Sequence, residues 1–191
     1  MSKAYKLSHN LDHCRANQDY DVWHAFKDRK ERFHELFYRL EPFDELPPHR
    51  FEGKIEKRLS WLDYPRVNPL YPIVSKKMVN TLLSVGNFNH ELKPLTIYDW
   101  KSKDKTTDDF VFLHLLEWKD IIDRENSIYY PEIGGIKKFA LKEPRGGYPP
   151  LFLVKDAGLT WFVSDKAKET LEILEIKGVH FVPLIYPDSE S

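Results

Sequence analysis

An α+β fold, a single domain with a mixed β-sheet and packed helices, is what this sequence predicts, on three observations. Strand-forming, helix-forming and strand-forming stretches follow one another twice, over 71–97 and over 161–186. A nearly continuous apolar run of strand length, Phe110-Val111-Phe112-Leu113-His114-Leu115-Leu116, stands between them and fits a central strand covered on both faces. The 191 residues, 41% hydrophobic, 14% aromatic and 31% charged, hold enough apolar material for one sizeable core. No run approaches the roughly 18 consecutive apolar residues of a membrane span.

Ala4-Tyr5-Lys6-Leu7 alternates as a strand does, and the polar stretch over 8–21, with His9, His13 and Cys14, reads as an irregular connection. From Asp28 to Leu40 the positions Phe33, Leu36, Phe37 and Leu40 fall at helical spacing, and Pro42 closes that amphipathic helix. Pro42, Pro47, Pro48, Pro65, Pro69 and Pro72 exclude long helices from the next stretch. The first 70 residues are thus a proline-rich N-terminal part. Within it Phe51–Leu59 alternates weakly, as one strand would, and Trp61, Tyr64 and Tyr71 form a bulky aromatic group.

The two strand-helix-strand stretches align with each other without a gap. Val74 matches Val163, Ser75 matches Ser164, Thr81 matches Thr170, Leu82 matches Leu171 and Pro94 matches Pro183. Each serine stands where an apolar run ends and helix formers begin, so its hydroxyl is placed to accept from first-turn amides as an N-cap. Met78, Val79, Leu82 and Leu83 form the stripe of the first helix, and Ala167, Leu171 and Leu174 that of the second. Asp165 suits the positive end of its helix dipole, whereas Lys76 and Lys77 oppose theirs. Gly178 is expected to end the second helix in the left-handed conformation, with Asn89 as its counterpart. Val179–Val182 then forms a strand, and Pro183 places it at an edge or ends it.

Between the two stretches, Tyr98-Asp99-Trp100 leads into the polar run KSKDKTTDD, which reads as a surface loop. Gly134-Gly135 marks a turn before the strand pattern of Ile136–Leu141. Gly146-Gly147, with Pro144, Pro149 and Pro150, marks a longer one before the strand Leu151–Val154.

No motif for catalysis or a metal assembles, and no cofactor is implied. VSxK lacks the lysine three residues after serine that a serine nucleophile of that type needs. His34-Glu35 begins a zinc-protease motif, but Tyr38 stands at the second histidine. Cys14 is the single cysteine, which excludes an intrachain disulfide and a thiolate zinc site. His13 beside Cys14 does not supply the spatial geometry that activates a thiol, and His114 reads as a core histidine. The carboxylates Glu117, Asp120, Asp123 and Glu125 have no spacing that fixes a catalytic pair. A net charge of −1 gives no general attraction to nucleic acid or acidic lipid. The N-terminal MSKAYKLSHN lacks the apolar region of a secretory signal, so a cytoplasmic protein is expected.

The order of IVSKKMVNTLL, DDFVFLHLLEWKDIIDRENSIYY, GGIKKFALKE and PLFLVKDAGLTWFVSDKAKETLEILEIKGVHFVPL, within 71–186, resembles the eleventh immunity family of bacterial polymorphic toxin systems; the opening Tyr5-Lys6-Leu7 is similar to it too. The resemblance implies a single-domain cytoplasmic antidote to a toxin delivered by a neighbouring cell, as in contact-dependent or type VI secretion competition. It also implies a cognate toxin as partner, nucleases among the targets, and no catalytic residues.

A nuclease must hold phosphate in a basic groove, so carboxylates with aromatic anchors are the groups expected to meet it. Two segments supply them: Trp100, Asp104, Asp108 and Asp109, and then Asp120, Asp123 and Glu125 with Tyr129 and Tyr130. Two other classes remain open on the residues alone. A small enzyme would draw on His13, Cys14 and His114, and a nucleic-acid-binding module on Lys54, Lys57 and Arg58 with Trp61.

Overall fold

The computed structural model describes residues 2–10, 40, 42, 50–53, 62–65, 72–99, 102 and 104–186. In chain order their elements are β1 (Ala4–His9), β2 (Arg50–Gly53), β3 (Ile73–Ser75), α1 (Lys76–Val85), β4 (His90–Asp99), β5 (Lys105–Leu115) and β6 (Trp118–Lys119). There follow β7 (Ile128–Tyr129), β8 (Ile136–Lys138), β9 (Leu151–Val154), β10 (Trp161–Ser164), α2 (Asp165–Ile173) and β11 (Val179–Pro183). The fold is α+β, with strands dominating. A five-stranded sheet has the order β11-β1-β10-β9-β6, a four-stranded sheet the order β2-β4-β5-β3, and β7 and β8 form a separate ribbon. Both large sheets are mixed: β6 runs parallel to β9, and β2 parallel to β4, among otherwise antiparallel neighbours.

The two strand-helix-strand stretches form as predicted and are built alike. In each, the two strands of the unit run parallel without touching, because a third strand lies antiparallel between them. That strand is β5 for β3-α1-β4 and β1 for β10-α2-β11. The registers agree row by row. Val74 and Pro94 both face Val111, as Val163 and Pro183 both face Tyr5. Leu92 faces Leu113 and His90 faces Leu115, as Phe181 faces Leu7 and Val179 faces His9. Beyond the last row the Leu116 amide donates to Asn89 O at 3.0 Å, as the Asn10 amide donates to Gly178 O at 2.9 Å.

Both caps form. Ser75 Oγ accepts from the Met78 amide at 3.0 Å, and Ser164 Oγ from the Ala167 amide at 3.3 Å. The helices then pack against each other, and one core joins the units. Met78, Leu82, Ala167 and Leu171 are fully buried in it with Leu113, Leu153 and Val163. A second cluster of Phe139, Phe152, Phe162 and Leu184 fills the far face of the five-stranded sheet, where Phe139 meets Phe162 edge to face.

Four expectations need correction. The polar run Lys105–Asp109 is the start of β5 and not a loop, since backbone pairing with β4 carries the ladder past its apolar part, with irregularities on either side of Ile97. His9 belongs to β1 and not to an irregular connection. Gly178 does not end α2: Leu174 caps it and Glu175 takes the left-handed conformation at φ 50°, while Gly178, at φ 89°, lies in the next turn. Leu174 is therefore 46% exposed, and Ile176, beyond the helix, is the residue buried in its place. Of the strand expected over Phe51–Leu59, the described part forms as β2, Arg50–Gly53, and residues 54–59 lie outside the described residues. The Asp28–Leu40 helix (but for Leu40), His13, Cys14, Lys54, Lys57, Arg58, Trp61 and Tyr71 lie outside the described residues.

Candidate functional site

The first acidic cluster sits on the β4–β5 ribbon where it leaves the core. Tyr98 faces Lys105 and Ile97 faces Thr107, so strand pairing alone orders a stretch with no apolar face. Asp104, Asp108 and Asp109 are all exposed. Lys105 Nζ donates to Asp108 Oδ2 at 2.6 Å, and this bond and charge hold the Asp108 carboxyl below the ordinary aspartate range. Thr107 Oγ1 donates to Asp109 Oδ2 at 2.9 Å. Trp100, the aromatic residue expected beside them, lies outside the described residues.

The second cluster lies beyond the other end of β5. The roughly 3.3 Å rise per strand residue puts about 20–35 Å between Leu115 and the ribbon carboxylates. The structure therefore does not gather the two clusters into one patch. Asp120, 73% exposed, lies 3.5 Å from Lys155 Nζ, and Arg124 pairs with Asp156 at 2.6 Å. Both pairs join this segment to the turn after β9, Lys155 answering Asp120 and Asp156 answering Arg124, which no local reading anticipates. Asp123 is a turn-former: its side chain accepts from the Glu125 amide at 3.2 Å and from Asn126 Nδ2 at 2.7 Å, and these bonds lower its pKa. Glu125 is exposed, Tyr129 partly buried and Tyr130 45% exposed on the β7–β8 ribbon. Ile133, 78% exposed at the tip of the same ribbon, is an apolar anchor that a search for acids and aromatics missed.

The described part of the chain offers little for chemistry. His114 is buried at 2% exposure within β5, as a core residue. No group of three histidine, cysteine, aspartate or glutamate side chains that could hold a metal ion occurs among the described residues. No helix among them is long and apolar enough to cross a membrane.

Two regions beside the helices complete the surface. Next to the loop between α2 and β11, the segment Leu62-Asp63-Tyr64 is tied down. The Lys177 amide donates to Asp63 Oδ2 at 2.8 Å, the Tyr64 amide donates to Lys177 O at 3.0 Å, and the Tyr64 ring stacks between His9 and Trp161. Asp63 also reaches the other unit, accepting from Ser75 Oγ at 2.6 Å and, through its carbonyl, from the Ser75 amide at 2.8 Å. Gly178 is essential to this approach, since a Cβ there would stand 2.6 Å from Tyr64 O. Next to the loop between α1 and β4 there is instead a cleft of about 300 Å³, bordered by Asn87, Phe88, Asn89, Glu117, Lys119 and Pro149, with Leu115, Leu151 and Phe152 buried beneath it.

These features lie on the surface of an α+β fold. The sequence matches no family model and no curated protein.

Proposed function

We propose that this protein is an immunity protein: a cytoplasmic antidote that binds and neutralises a cognate antibacterial toxin, a nuclease, by direct contact. The observation that carries the reading is the solvated ribbon bearing Asp104, Asp108 and Asp109, three exposed carboxylates, of which Asp108 pairs with Lys105 and also feels the charge of Lys76. A nuclease groove must be basic to hold phosphate, and carboxylates projected from a rigid strand pair are suited to steer toward it and occupy it. The resemblance over 73–184 to an immunity family supplies the class of partner. Asp120, Glu125, Tyr130 and Ile133 offer a second grip beyond the other end of β5.

The test is co-expression with the product of the gene next to this protein's own, expected on this reading to be a nuclease toxin. Growth is restored by the wild-type chain, and the two purify as a stoichiometric complex. Reversal of Asp104, Asp108 and Asp109 to lysine slows association more than it speeds dissociation, and the effect shrinks as salt rises. Failure of the wild-type chain to restore growth removes the reading, and an unchanged association rate at low salt removes the ribbon from the interface.

A further inference from the structure

The edges of the sheets differ in how they are guarded. An edge strand presents a row of unpaired N–H and C=O groups, and charged side chains on it are a usual means of keeping other strands away. Arg50 and Glu52 stand on β2, Lys119 on β6, and Lys137 and Lys138 on β8, while beside β3 the Asp63 carbonyl already accepts from the Ser75 amide. β11, an edge of the five-stranded sheet, reads Val179-His180-Phe181-Val182-Pro183 and carries no lysine, arginine, aspartate or glutamate. We propose that β11 is the contact through which two copies of this chain pair, antiparallel about a two-fold axis at Phe181, joining their five-stranded sheets edge to edge. The inference stands apart from the antidote reading.

The backbone of β11 supplies the pairing. The Asn10 amide donates to Gly178 O at 2.9 Å, and Gly178 opposite Asn10 continues the β1–β11 register. Antiparallel ladders bond every second facing pair, so His180 with Ser8 and Val182 with Lys6 are the bonded pairs. β1 agrees from its other side, where the Asp165 amide donates to Lys3 O at 2.8 Å and the same alternation turns Tyr5 and Leu7 toward β10. Val179 and Phe181 therefore aim both N–H and C=O away from β1, and neither residue takes part in a backbone hydrogen bond there among the described residues. Pro183 has only an outward carbonyl. With Phe181 on the axis, that residue exchanges both bonds with Phe181 of the second copy, and each Val179 amide meets the other chain's Pro183 carbonyl, so the proline costs no donor. His180 faces Val182 of the second copy, whereas a register centred on His180 would set two imidazoles against each other. Each contact is made twice, as a two-fold interface requires. The flank agrees with this. Lys168 Nζ lies 5.7 Å from the Phe181 ring centroid and pairs with Glu172 at 2.7 Å, so α2 brings one charge of each sign beside the edge and does not repel its own copy. No charge on the strand selects a foreign segment by sign, whereas its backbone bonds and side chains complement themselves.

A single strand edge is a small contact, so the dimer forms reversibly with concentration. Sedimentation of the full chain should show the mass rising from that of one chain to that of two. Amide exchange read residue by residue is the sharper test. His180 and Val182, bonded to β1, should be slow throughout, while Val179 and Phe181 should slow by roughly tenfold or more between dilute and concentrated chain. His180→Lys with Val182→Lys sets lysine against lysine across the axis and should leave a monomer. His180→Lys with Val182→Glu sets lysine against glutamate and should dimerise. A wild-type chain that stays monomeric, or Val179 and Phe181 amides indifferent to concentration, overturns the proposal. So does a dimer that survives the double lysine or fails with the lysine–glutamate pair. Slowing at Val179 and Phe181 only when the toxin is added assigns the edge to a strand of that partner and overturns the second copy as its occupant.

Discussion

In the β3-α1-β4 unit the central strand, β5, follows directly in the chain, whereas in the β10-α2-β11 unit it is β1, brought from the opposite end of the sequence. The rows of both units nevertheless pair in the same register. The difference lies outside the rows. The α2 unit is closed by a segment that comes from more than a hundred residues away and is fastened through Asp63 to both units; beside the corresponding loop of the α1 unit the described residues leave a cleft of about 300 Å³. A common scaffold thus sets strand order and helix packing, while the segments beside it differ between the two units.

The largest effects should be equal in the two units. Leu82 and Leu171, at matching positions, are both fully buried in the shared core, so either leucine to alanine costs roughly 2–5 kcal/mol in urea unfolding. Because the helices pack on each other, the double variant departs from the sum of the singles. A neutral Leu82→Ala beside a costly Leu171→Ala would break the idea of one core.

The next effect should be unequal. Gly178→Ala forces a side chain into positive φ and toward Tyr64 O, costing roughly 2–4 kcal/mol, while Asn89→Ala, on the open side, stays within about 0.5 kcal/mol. Equal losses would mean that the Leu62–Tyr64 segment does not press on the α2 unit.

A smaller asymmetry is expected at the caps. Ser164→Ala loses an N-cap worth about 1 kcal/mol and leaves partner binding intact at saturating protein. Ser75→Ala also removes the hydroxyl that donates to the Asp63 carboxylate, raising its cost to roughly 2–3 kcal/mol. Identical melting shifts for the two would place the Asp63 tie outside the forces that hold the segment down.

Much of this comparison is legible in the sequence, because it depends on local rules. Capping serines, the helical stripes apart from Leu174, and the gapless match of Val74 with Val163 and Pro94 with Pro183 appear as they fold. The equivalence of β1 and β5 is not legible. Those strands lie on opposite sides of their helices in the chain, and they share little beyond Leu7 and Leu113. Lys105–Asp109 escaped notice as strand because hydrophobic pattern was the criterion, whereas ladder hydrogen bonds tolerate polar side chains wherever a neighbour is already in place. Of the candidate site, the exposure of the ribbon carboxylates was readable. The pairing of Asp120 with Lys155 and of Arg124 with Asp156 was not, nor was the seat of Tyr64 on His9, since each joins residues far apart in sequence.

Hydrogen exchange on the full chain, free and with the proposed toxin partner, tests the proposed interface most directly. Binding should slow exchange along Lys105–Asp109 and leave Ile176–Gly178, beneath Leu62–Tyr64, as it was. Slowing at Ile176–Gly178 with none along Lys105–Asp109 would contradict the account.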